Sequence, residues 1–138
     1  MRRMETAVSE SGEKYFSSSD GEKYFRSGDF VSAVSCFSQL IDQSSAGDTS
    51  NLALLYNNRG LAKYMMVDFY TAKDDFDMAL TLDPSLSVAY YNRGTISYRM
   101  GDFKAALEDF VACTKMNPDN AEFQEGLQSC QQCLAAEK

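Results

Sequence analysis

The chain has 138 residues, 44% apolar and 24% charged, with a net charge of −7 and no histidine. That is a globular composition of one-domain length. The acidic balance excludes a nucleic-acid binder, which needs a basic field, and disfavours an anionic membrane surface. Without histidine the commonest general base and metal ligand are missing, so neither an enzyme nor a cofactor or metal site is expected.

The N-terminus, Met1-Arg2-Arg3-Met4, turns polar and acidic at Glu5 and lacks the apolar core of a signal peptide. No apolar run approaches the length of a membrane span. A cytoplasmic location is expected. The cysteines Cys36, Cys113, Cys130 and Cys133 are scattered, as in reduced intracellular proteins. Residues 1–11 are expected to be flexible and 12–138 to form one domain. The segment Gly12–Asp20 is nearly repeated by Gly21–Asp29. Nine residues turn a helix by half a revolution, so only one copy can face a given neighbour. The second copy should carry the packing, and the first helix should fray or start late with Ser19 or Asp20 as its cap.

Further along, the segment from Tyr56 to Pro84 returns 34 residues later as Tyr90 to Pro118. Identities fall at Asn58/Asn92, Arg59/Arg93, Gly60/Gly94, Tyr64/Tyr98, Phe69/Phe103, Ala72/Ala106, Asp75/Asp109 and Phe76/Phe110. A fixed period of this length marks a solenoid of stacked helical hairpins. A third copy is phased by Gly21, Ala33 and Phe37. Repeats are expected at about 14–47, 53–86 and 87–120. The surplus of five residues between the first two falls in the turn-rich run Asp42–Ser50. Turns are expected at Ser27-Gly28-Asp29, Val67-Asp68 and Gly101-Asp102. Asp83-Pro84-Ser85 and Asn117-Pro118-Asp119 supply N-cap candidates. A final helix over about 120–136, with Phe123, Leu127 and Cys130 on one face, should cap the array.

With these residues in place the chain resembles the tetratricopeptide repeat family over about residues 14–138. The resemblance implies an all-α, right-handed solenoid of three helix-turn-helix repeats plus a capping helix, without catalytic activity. It implies a protein-binding groove lined by the first helix of each repeat. On this sequence the lining would include Phe25, Arg26, Asn57, Asn58, Leu61, Tyr64, Tyr91, Asn92, Thr95, Tyr98 and Arg99. Asparagine can donate to and accept from a peptide backbone, and tyrosine offers large area at small entropic cost. Tyr64 and Tyr98 could instead pack between helices.

The family's carboxylate clamp for chaperone tails needs basic residues where this chain has Ser18, Val88 and Asn92, and asparagine where it has Glu22, which would repel a carboxylate. Of the clamp positions only Asn58 agrees, so that mode is not expected. Arg59 with Asp75, and Arg93 with Asp109, should form structural salt bridges between the paired helices. Cys130-x-x-Cys133 reads as a core thiol beside a surface thiol, although a redox role stays open.

The expected function is protein or peptide binding in the groove by a monomer, the partner unidentified. The alternative is a structural subunit or adaptor that docks through its convex face or N-terminal edge.

Overall fold

Three aspartates set the hairpins. Asp29, Asp68 and Asp102 each follow a residue in the left-handed region: Gly28 (φ 85°), Val67 (φ 63°) and Gly101 (φ 81°). Each aspartate N–H closes the preceding helix by donating back to a carbonyl, Asp29 to Tyr24, Asp68 to Lys63 and Asp102 to Ser97, at 2.9–3.0 Å. The left-handed residue donates as well, Gly28 to Phe25, Val67 to Tyr64 and Gly101 to Tyr98. This is the Schellman ending of a helix. Each aspartate side chain then accepts from the backbone N–H three residues on and opens the next helix. One residue type thus ends one helix and starts another within a turn of two or three residues.

The structure, a computed structural model, describes residues 20–45 and 47–137. The expected flexible segment 1–11 and the first copy of the nine-residue duplication lie outside the described residues, save Asp20. Among the described residues the elements are α1 (Asp20–Ser27), α2 (Phe30–Gln43), α3 (Thr49–Met65), α4 (Phe69–Leu82), α5 (Ser87–Arg99), α6 (Phe103–Met116) and α7 (Ala121–Ala136). None is long and apolar enough to cross a membrane.

The chain divides into two compact units after Pro84. In the first, α1 packs on α2, α2 on α3 and α3 on α4. Ala33, Phe37, Leu55 and Ala62 form a buried cluster, flanked by Phe25, Val34, Leu40 and Ile41. In the second, α6 packs on both α5 and α7. Its core is Tyr91, Ala106, Phe110, Cys113, Phe123 and Cys130. Burial pushes the Cys113 thiol up to about 12, so it behaves as a small apolar side chain.

Two expectations about helix starts are corrected. The surplus between the first two repeats is not all loop. Asp48 caps α3, which starts at Thr49 rather than near Ala53 and so absorbs most of the surplus as an extra turn. The prolines do not introduce caps. Leu86, whose side chain has no acceptor, precedes α5 with the Ala89 N–H meeting its carbonyl at 3.1 Å, and Asn120 rather than Asn117 or Asp119 caps α7.

Close helix approach is set by Gly60 and Gly94. A Cβ at Gly60 would lie 2.8 Å from Phe76 Cε1 and 3.1 Å from the Ala72 carbonyl oxygen. Gly60→Ala should therefore destabilise by about 1 kcal/mol in urea unfolding, because overpacking outweighs the helix-propensity gain of about 1 kcal/mol. A stabilised Gly60→Ala would show that α3 and α4 can separate freely.

Val67 is strained. It is β-branched, sits at φ 63° where the other hairpins place glycine, and is 73% exposed. Val67→Gly should raise the unfolding free energy by about 1 kcal/mol by relieving a left-handed conformation. Unchanged or lowered stability would mean that the valine side chain makes a compensating contact.

Candidate protein-interaction surface on the first helices

The first helix of each hairpin carries two kinds of side chain. Those in its middle are packed away. α3 is held by α2 and by α4, and α5 by α6 with α7 also touching it. In consequence Asn57, Asn92 and Tyr91 are at most 1% exposed, and Asn58, Leu61 and Thr95 are also buried.

Within this buried layer the polar atoms are matched locally. Asn57 Nδ2 donates to Asn58 Oδ1 at 3.3 Å. Thr95 Oγ1 donates to the Tyr91 carbonyl at 2.9 Å. The Tyr91 ring lies 5.8 Å from Phe110 and 5.2 Å from Phe123. Tyr91 is therefore a core residue. The six middle positions expected to line a groove (Asn57, Asn58, Leu61, Tyr91, Asn92 and Thr95) offer almost no surface in this structure. The correction has a simple cause: the face that turns towards a groove in the middle of a first helix also meets the neighbouring helices.

The last turn of each first helix is different. Phe25, Tyr64 and Tyr98 are half-buried, and Arg26, Met65 and Arg99 beside them are exposed. Each aromatic packs across its turn onto the first residue of the second helix. The pairs are Phe25 on Phe30, Tyr64 on Phe69 and Tyr98 on Phe103, all with centroids 5.3 Å apart. Such pairs add about 1 kcal/mol beyond area burial, and they fix the rings before any partner arrives. Hence Tyr64 and Tyr98 pack within their hairpins and keep an open edge as well. Arg26 Nη2 sits 2.7 Å from Glu22 Oε1 one turn earlier.

On the other side of the first helices lie the ion pairs. Arg59 Nε and Nη2 donate to Asp75 Oδ2 and Oδ1 at 2.9 and 2.7 Å. Arg93 makes the same forked contact with Asp109 at the same distances. The fork satisfies both carboxylate oxygens at once. Four further partners join these pairs. Arg59 Nη1 also donates to Ser38 Oγ of α2 at 3.2 Å, and Lys63 Nζ lies 3.1 Å from Asp75 Oδ2. Arg59 and Arg93 stand over the Tyr56 and Tyr90 rings at 5.2 and 5.8 Å. The hydrogen bond to Asp75 raises the Arg59 pKa although burial opposes it, so the guanidinium stays charged. These groups hold helices together.

Residues 87–120 match the family model described as Tetratricopeptide repeat. The fold is similar to that of solved structures. "First TPR of Spaghetti (RPAP3) bound to HSP90 peptide SRMEEVD" is 28% identical, with a TM-score of 0.76 over 84% of this chain and 88% of that one. The second TPR domain of human RPAP3, solved with the HSP70 peptide SGPTIEEVD, is 28% identical, with a TM-score of 0.71 over 81% and 89%. The "TPR2B-domain:pHsp70-complex of yeast Sti1" is 24% identical and shows the fold alone, with a TM-score of 0.73 over 81% of this chain and 90% of that one. The protein has an all-α tetratricopeptide repeat fold. The helical hairpins, the matched repeat and these likenesses are those of tetratricopeptide repeat domains.

Proposed function

We propose that the protein is a non-catalytic, monomeric binding module that takes a peptide or helix of a partner at the ends of its first helices, α1 and α3 in one unit and α5 in the other. The observation that carries this reading is the recurrence of one braced aromatic beside one exposed long side chain: Phe25 with Arg26, Tyr64 with Met65, and Tyr98 with Arg99. Rigid aromatic edges give area without an ordering cost, and the flexible neighbours adapt. The buried asparagines then serve to fix the helices rather than to read a backbone. The block from Tyr56 to Tyr70, with Tyr90 to Gly94, resembles the small stand-alone tetratricopeptide repeat protein 32.

The partner is not an acidic chaperone tail held by a carboxylate clamp. Where that clamp needs cations, this chain has Ser18, Val88 and Asn92, and Glu22 stands on the first helix. The expected result is no measurable binding of the peptide SRMEEVD by fluorescence anisotropy at micromolar protein. Binding comparable to that of a clamp-bearing domain would defeat this part of the reading.

A second reading rests on a separate observation. Val31, Tyr70, Met78 and Val111 on the second helices are exposed, Tyr70 by 74%. They would suit an adaptor docked through its outer face.

A further inference from the structure

We propose that Cys130 and Cys133 form an oxidant-sensitive dithiol that holds Tyr98 in place when reduced and releases it when bridged. The two thiols are tethered to the same corner of the last hairpin. Cys130 Sγ donates to the Phe103 carbonyl at 2.9 Å. Cys133 Sγ lies 3.4 Å from the Tyr98 hydroxyl. Tyr98 in turn packs on the Phe103 ring. The end of α7 therefore grips both sides of the turn between α5 and α6 through sulfur. The contact with Cys133 raises the Tyr98 pKa, in keeping with a hydroxyl held by its neighbour.

The spacing permits a bridge. Residues three apart on an α-helix have Cα atoms about 5 Å apart, within the range a disulfide spans. Forming it brings the sulfurs to about 2 Å and turns both side chains towards each other. Cys130 then loses the proton it donates to Phe103, and Cys133 leaves Tyr98.

Attack begins at Cys133, which is half-buried, whereas Cys130 is fully buried. Burial also raises the Cys130 pKa and keeps that thiol protonated, so it is not the first to react. With a peroxide as oxidant, the Cys133 thiolate attacks one peroxide oxygen. The O–O bond breaks, and hydroxide leaves as water with the proton the thiol gave up. The Cys130 sulfur then attacks the sulfenic sulfur. The S–O bond breaks and a second water leaves with the Cys130 proton. Two thiols lose two electrons, and the peroxide becomes two waters.

That Tyr98 recognises a partner rests on the proposed function; the bridge and the release of the ring stand without it. The test uses the full chain. Trypsin yields fragment 116–138, which contains Cys130 and Cys133 and no other cysteine. After hydrogen peroxide this fragment should be lighter by two hydrogen atoms and resist N-ethylmaleimide. In protein labelled with 13C-tyrosine, the Tyr98 ring resonance, assigned with Tyr98→Phe, should shift on oxidation and return with dithiothreitol. Cys133→Ala should shift it without oxidant. Two alkylatable thiols after peroxide, or oxidation that stops at Cys133, would overturn the bridge. A bridge that leaves the Tyr98 resonance unmoved would overturn the tether. If the tether and bridge hold while partner binding is unaffected by oxidation, the proposed recognition role of Tyr98 fails and the dithiol does not.

Discussion

Phe110→Ala should cost about 4 kcal/mol, the largest loss expected from a single truncation in this chain. The Phe110 ring is fully buried and lies against Tyr91 in the core of the second unit. Glycines on both flanking helices let it in. A Cβ at Gly94 of α5 would come within 3.0 Å of Phe110 Cε1, and one at Gly126 of α7 within 3.1 Å. The ring is thus wedged between two helices whose backbones approach because side chains are absent. Neither helix can collapse into the hole left by truncation without sliding off α6, so the cavity should persist. A domain of this size has about 5–15 kcal/mol in total, so the loss is a large fraction of it. Urea unfolding measures the loss, and amide exchange should show α7 opening first. A cost below about 1 kcal/mol would mean that the site refills and that the wedge has been misread.

Asp75→Ala should cost about 3 kcal/mol, more than Asp109→Ala. The two aspartates occupy equivalent places, but Asp75 is clasped by two cations, Arg59 and Lys63, whose side chains are each only 19% exposed. Its removal leaves two like charges side by side with little solvent to screen them. Arg93, the arginine paired with Asp109, is more open. The replacement there should cost about 1–2 kcal/mol, because water reaches the abandoned guanidinium. Equal costs at the two sites would show that Lys63 plays no part. A double-mutant cycle with Arg59→Ala isolates the pair from the loss of packing over Tyr56.

Much of the fold was legible in the sequence because the repeat supplies its own register. Identical residues one period apart must occupy equivalent environments, so Ala72 and Ala106, or Phe76 and Phe110, declare the packed face of the second helices. The Arg–Asp spacing is legible for the same reason, since chance pairing does not recur in phase. The working surface was harder to see. Periodicity tells which face a side chain is on, but not whether a neighbouring helix covers that face. Asn58 and Asn92 have the chemistry of a peptide reader and are sealed by helices on either side. The aromatic braces were missed for another reason. Phe25 and Phe30, like Tyr64 and Phe69, are five residues apart across a turn, a separation that neither helical nor strand periodicity marks. Val67 was hidden because glycine, the usual sign of a left-handed turn residue, stands in the other two hairpins and not in this one.

Photo-crosslinking within the first unit tests whether a partner sits at the ends of α1 and α3. A benzophenone amino acid is placed singly at Met65 on α3 and at Tyr70 on α4, both exposed and a few residues apart in one unit. The modified proteins are irradiated in cell extract and their adducts compared. A discrete adduct is expected from position 65 that is lost when Arg26→Glu is added, and none from position 70. An adduct from position 70 alone would contradict this and move the working surface to the second helices.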